Sequence, residues 1–177
     1  DTGYTITIAP VCDGTAADSM AFNISTGSLP CLSWDTTGFG GPTDTVTLGI
    51  PGTGTTNVMP INQLYNYSYC QHLFLSTDIP VTGPTTFTGI GFQYAYSQPM
   101  THATDVDIYM ANTTRANMNG TDSTFVPYSQ LQLVYSGPLN CNASGWNYFN
   151  FNQGMFSYDG TSNVVVAIVD NSGSSDG

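Results

Sequence analysis

The sequence predicts an all-β fold, an antiparallel β-sandwich or jelly roll opened by a hairpin. Three observations predict it. β-Branched and aromatic residues are abundant, with 11 Tyr and 9 Phe, whereas Lys and Glu, the charged residues that favour helices, do not occur. Apolar and polar residues alternate over short runs, which is the period of a strand rather than of a helix. Clusters of Gly, Asn, Asp and Pro separate those runs at the spacing of turns, where βαβ units would place helices.

Taken in order, Tyr4-Thr-Ile-Thr-Ile-Ala-Pro-Val-Cys12 alternates, Asp13-Gly14-Thr15 turns the chain, and Ser19-Met-Ala-Phe-Asn-Ile-Ser25 alternates again, forming a β-hairpin. Leu29-Pro-Cys-Leu-Ser-Trp34 and Gly38-Phe-Gly-Gly-Pro42 are punctuated by Pro and Gly and read as a boundary, dividing the chain into 1–32 and 33–177. A short strand over 45–50 ends in the Gly-rich loop Pro51-Gly-Thr-Gly-Thr-Thr56. Further strands are expected over 66–75, 86–96, 105–111, 130–135, 146–151 and 163–170, with Asn119-Gly120 and Asp159-Gly160 as turns. Val164-Val-Val-Ala-Ile-Val169 is apolar at successive positions, as in a central strand buried on both faces. No strand pattern follows Asp170, so the second unit is expected to be cut short at its C-terminal end.

Lys+Arg number 1 and Asp+Glu 12, every acid being Asp, for a net charge of -11. Polyanions are repelled at long range, which excludes nucleic acid as a partner. No stretch approaches the apolar length of a membrane helix, so membrane insertion is not expected. Solubility must come from Thr, Ser, Asn and Gly. A chain whose single strong base is Arg115 also offers trypsin-like proteases almost no cleavage site, which suits a gut or other protease-rich environment, and a secreted or cell-surface location is expected. Cys12, Cys31, Cys70 and Cys141 form an even set without CxxC or Cys/His metal spacing, and in that setting they read as two disulfides. Three connectivities exist. The hairpin and its exit favour Cys12–Cys31, which leaves Cys70–Cys141 as a long-range staple.

Two sets of residues carry resemblances. The segment from Tyr4 to Cys31, with Tyr-Thr-Ile-Thr-Ile-Ala-Pro-Val-Cys, the Asp-Gly loop and Met-Ala-Phe-Asn-Ile-Ser-Thr, resembles the last two strands of a fibronectin type III domain of secreted Bacteroidota proteins. It implies a Cys12–Cys31 pair and the rest of such a domain upstream. Met59-Pro-Ile-Asn62, Tyr65-Asn-Tyr-Ser-Tyr69, Thr88-Gly-Ile-Gly-Phe-Gln-Tyr94, Val106-Asp-Ile-Tyr-Met-Ala-Asn-Thr-Thr114, Leu133-Val-Tyr-Ser-Gly137, Gly145-Trp146 and Phe156-Ser-Tyr-Asp-Gly-Thr-Ser-Asn163 follow in order. Together they resemble a repeated β-sandwich module of type IX-secreted, adhesin-like and peptidase-associated proteins of that phylum. This second resemblance implies export, surface display or release, and an accessory role in a multidomain chain. Cys70 and Cys141 depart from the module's polar positions, which again favours a bond between them.

Catalytic groups are scarce. There is no GxSxG, HExxH or Walker motif and no Glu. A Cys70–His72 pair is disfavoured because Cys70 is better used as half of a disulfide, and Asp105 with Asp107, two apart on a strand, reads as a solvated face rather than a glycosidase pair. No enzyme is expected. No cofactor is required. Ca²⁺ is the ion that Asp105, Asp107, Asp122, Asp159 and Asp170 suit, although none falls in an EF-hand spacing. Aromatics carry the stronger binding signal. Tyr65, Tyr67 and Tyr69 are expected on one strand face, and Phe92, Tyr94 and Tyr96 repeat the pattern, with Trp146 opening another strand. Such residues stack on sugar rings, or else line a core. Asn23, Asn66, Asn112, Asn119 and Asn142 lie in formal N-glycosylation sequons, and Ser19, Thr36, Thr45 and Ser123 follow Asp in the pattern of Bacteroidota O-glycosylation. The expected role is a non-catalytic module of binding or adhesion, with a host glycan or protein as partner. The alternative is a structural spacer or filament subunit that self-associates.

Overall fold

The computed structural model describes residues 4–8, 11–12, 15–16, 20–24, 33–36, 44–48, 60–62, 64–118, 125–142 and 144–175, with side chains described from residue 45 onward. Its strands are β1 (Tyr4–Ile8), β2 (Val11–Cys12), β3 (Thr15–Ala16), β4 (Met20–Ile24), β5 (Ser33–Thr36), β6 (Asp44–Thr47), β7 (Ser68–Phe74), β8 (Thr85–Tyr94), β9 (Val106–Thr113), β10 (Gln132–Gly137), β11 (Gly145–Asn150), β12 (Phe156–Tyr158) and β13 (Asn163–Asp170). All pairings are antiparallel. The predicted hairpin forms: β1 pairs β4, with Tyr4 opposite Ile24 and Ile8 opposite Met20, and β2 pairs β3 beyond it. The expected strand over 45–50 is the shorter β6.

Two larger sheets carry the rest. One has the order β10-β9-β13-β7, and the other runs β11-β8-β5-β6 with β12 also on β8. They share one core: Ile108, Met110, Val164, Val166 and Ile168 from the first and Phe87, Ile90, Phe92, Phe149 and Phe156 from the second. Tyr135 of β10 meets Phe149 of β11 edge-on at 5.8 Å, a direct contact between sheets. Each such side chain contributes about 1.5–3 kcal/mol by leaving water.

The run in β13 is buried on both faces, as its composition predicts, because it lies between β9 and β7 and a second layer covers the outer face. That layer is formed by residues 125–131, which lead into β10. Gln71 grips it by imitating a strand: its Oε1 accepts the Val126 N–H at 2.8 Å and its Nε2 donates to the Val126 carbonyl at 2.9 Å. Phe125 lies edge-on to Tyr69 at 5.5 Å, and the Tyr128 hydroxyl donates to that of Tyr109. Arg115 ties this layer down, donating from its guanidinium to the Phe125 carbonyl at 3.2 Å while its own carbonyl accepts from Asn163 Nδ2 at 2.5 Å.

A bulge in β10 brings two successive residues, Val134 and Tyr135, into the core, since Leu133 opposes Tyr109 and Tyr135 opposes Ile108. The Val134 carbonyl, released from the ladder, accepts from the N–H groups of Asn152 and Gln153 at 3.1 Å each. The β12–β13 turn requires glycine at its second residue. Gly160 has φ +82, and a Cβ there would lie 2.3 Å from the Gly83 carbonyl carbon.

The expected Cys70–Cys141 disulfide is not formed: both are free thiols. Cys70 sits on β7 opposite Ile168 with its Sγ donating to the Pro60 carbonyl at 3.0 Å, and buried Cys141 belongs to a backbone bridge with Met100. Each thiol fills its own part of the core. The Cys12 and Cys31 side chains lie outside the described residues, as do Ser19, Asn119, Asp122 and Ser123. The side chains of Asn23, Trp34 and Thr36 lie outside them too.

Candidate functional site

The aromatic residues singled out in the sequence do not form one ladder. β7 begins at Ser68, so Tyr65 and Tyr67 precede the strand and only Tyr69 lies in it. Tyr69 is committed to Phe125, and its hydroxyl accepts from Gln71 Nε2 at 2.6 Å. Tyr65 and Tyr67 are exposed beside it. On β8, Phe92 is a core residue, half-buried Tyr94 donates its hydroxyl to the Gln98 carbonyl at 2.8 Å, and Tyr96 packs on Tyr94 at 5.6 Å beyond the strand end.

The outer face of the five-stranded sheet has a more coherent arrangement. Gly145, with φ +109, turns the chain into β11, which then alternates Trp146, Tyr148 and Asn150 outward with Phe149 inward. Trp146 and Tyr148 stack at 6.1 Å with an interplanar angle of 24°, and Tyr148 is 59% exposed. Register extends this face across the sheet. Tyr148 opposes Gly91, Gly91 opposes Ser33, and Ser33 opposes Thr47; one pleat along, Asn150 opposes Gly89, then Asp35, then Thr45. Exposed Gln93 lies opposite Trp146. A stacked aromatic pair thus borders two glycines, both buried, with the Asn150 amide close over Gly89 and polar positions beyond. Gly89 is close to irreplaceable there, since a Cβ would approach the Phe149 carbonyl oxygen to 2.9 Å. Sequence reasoning selected Trp146 but missed Tyr148. The signal was the i, i+2 spacing in Trp146-Asn-Tyr148; the partner glycines emerge only from the pairing with β8.

The acids expected for Ca²⁺ are not gathered, and no group of three or more His, Cys, Asp or Glu residues suited to a metal exists among the described residues. Asp159 is consumed by its own turn, accepting from the N–H groups of Thr161 and Ser162 at 2.8 and 2.7 Å and from both their hydroxyls. Hydrogen bonds to the charged form, led by Ser162, lower its pKa to about 2. Asp107 accepts from the Tyr109 hydroxyl at 3.2 Å, Asp105 is exposed, and Asp170 is buried at the other face of the same sheet.

Cys70 and His72 are brought together, with Sγ and Nε2 3.2 Å apart. Burial pushes the Cys70 thiol up to about 12 and the His72 imidazole down, so both groups are neutral near pH 7. This favours a packed, hydrogen-bonded pair over a thiolate nucleophile. Of the sequon residues, Asn66, Asn112 and Asn142 are exposed, as is Thr45, while Asn112 Nδ2 donates to the Ser157 carbonyl at 2.9 Å.

Compared with known proteins, the chain matches no family model, no curated protein and no solved structure. No helix among the described residues is long and apolar enough to cross a membrane.

Proposed function

We propose that the chain is a non-catalytic binding or adhesion module of a secreted or cell-surface protein, and that it takes a glycan on the outer face of the five-stranded sheet. The observation that carries this reading is the Trp146–Tyr148 stack, with Tyr148 exposed and Trp146 half-buried, beside Gly89 and Gly91. A sugar ring presents a flat C–H face that stacks on aromatic rings such as that of Tyr148, and exposed Asn150 and Thr45 add hydrogen-bonding groups on the same face. The neutral Cys70–His72 pair supports the non-catalytic part. Secretion draws support from the scarcity of basic residues and from the resemblance to adhesin-like Bacteroidota modules; the two unpaired thiols weigh on the other side. A glycan array followed by affinity electrophoresis tests the proposal. Binding should weaken at least tenfold in Tyr148→Ala and be unchanged in Tyr67→Ala; retention undiminished in both Tyr148→Ala and Trp146→Ala sinks it.

A second reading, self-association as a spacer or filament subunit, is favoured by β7. This strand closes its sheet, pairs only β13 among the described strands, and its sequence Ser-Tyr-Cys-Gln-His-Leu-Phe contains no Lys or Pro to repel another edge. Polymers that grow with concentration, seen by light scattering and electron microscopy, would select it.

A further inference from the structure

β13 ends with its carboxylate on the wrong side for a soluble acid. Val164, Val166 and Ile168 face the core, and Asp170 continues that alternation, at 1% exposure. Its Oδ1 accepts the Ser172 N–H at 3.0 Å, while Oδ2 has no hydrogen-bond partner among the described residues. A buried carboxylate oxygen left in this condition is costly unless positive charge or a proton meets it.

The chain has little positive charge to offer. It contains no Lys, and its one Arg is held at the opposite end of β13: the Arg115 carbonyl accepts from Asn163, seven residues and roughly 23 Å of strand from Asp170. Three segments meet instead around the Asp170 end, and apart from the buried imidazole of His102 they present oxygen. Asp170 opposes Ser68 on β7 and Val106 on β9. The Asp105 carbonyl accepts from Asn171, the Asn66 carbonyl from Gly173, and the His102 carbonyl from Ser174 Oγ. Ser172 Oγ accepts from the Asp105 N–H, and Ser68 Oγ from that of Asn62.

We propose that this end of the sandwich binds one hard divalent cation of the calcium class, anchored by Asp170 Oδ2 and completed by carbonyl and hydroxyl oxygens of the converging segments. Ca²⁺ accepts such mixed oxygen ligands, and a carbonyl that already receives one hydrogen bond keeps a second lone pair for it. The ion supplies the charge that the chain lacks, and it fastens the segments holding residues 62–68, 102–106 and 170–174. This proposal is independent of glycan binding.

The test is a thermal melt of the full chain after EDTA treatment, with and without millimolar CaCl₂. Ca²⁺ should raise Tm by roughly 5 °C or more, Asp170→Asn should lose the response, and Asp159→Asn, which alters an acid outside the site, should keep it. Because Asp170→Asn risks misfolding, crystals of the wild-type chain soaked in TbCl₃ give a second measurement. An anomalous peak against the Asp170 carboxylate supports the site. No Tm response in the wild type, or a peak only at exposed acids, overturns it and leaves a protonated carboxyl as the answer to the orphan oxygen.

Discussion

Asp159 shows how much one side chain contributes when the backbone is aimed at it. Four donors from Thr161 and Ser162 converge on its carboxylate, and they favour the charged form. Its folded pKa, about 2, lies below the unfolded value of 3.8, so the stabilisation is complete above pH 3.8 and is lost as pH falls towards 2. Melting curves of the wild type and Asp159→Asn should therefore differ at neutral pH and converge across that interval; a gap that persists at pH 2 would contradict the assignment. The thiols give a second expectation at this scale. Cys70 and Cys141 should each take up one equivalent of iodoacetamide in denaturant without reductant, read by mass after chymotryptic digestion, and each should react slowly in the native state, where burial raises both thiols. The even count of cysteines suggested a staple because spacing in sequence carries no information about Cα separation.

Among elements, the long alternating or wholly apolar strands were legible and the short ones were not. β9 and β13 fall close to their expected bounds because eight residues give alternation, or its absence, room to register. β12 has only three residues, Phe156-Ser-Tyr158, too few to show a period, and the four residues of β5, Ser33–Thr36, lie in a stretch of sequence rich in Pro and Gly. Likewise the spacing of Tyr65, Tyr67 and Tyr69 promised one face, but the strand starts at Ser68, and position along the chain then no longer fixes direction. The layer over the outer face of β13 was not legible either, since it depends on Gln71, a polar residue with no periodic signature. Gln71→Ala leaves the N–H and carbonyl of Val126 without their partners and should cost about 1–3 kcal/mol in urea denaturation; a change below ~0.5 kcal/mol would show that the layer is held elsewhere.

The whole molecule is stabilised where the two sheets face each other. Phe87 is fully buried, stacked near Phe156 at 6.3 Å and Tyr158 at 5.9 Å, and joins β8 to β12 through the core. Phe87→Ala should destabilise by about 3–5 kcal/mol in equilibrium denaturation, whereas Tyr148→Ala on the open face should change stability little while removing binding. That contrast separates the two sides of one sheet. Its inner side was predictable as a class, since strands of this composition must bury one face. Its outer side was not, because the platform requires β11, β8 and β5 to lie in one register, a relation among residues nearly sixty to more than a hundred positions apart.

The anchoring of Arg115 gives the protein a built-in reporter. It is the only trypsin-cleavable position in the chain, and its guanidinium is engaged by the segment that covers β13 and its carbonyl by Asn163. A protease needs that peptide drawn out and extended, so cutting the native chain requires the cover to lift first. Where reclosing outpaces cleavage, the rate of appearance of one pair of fragments measures the open population of that single layer.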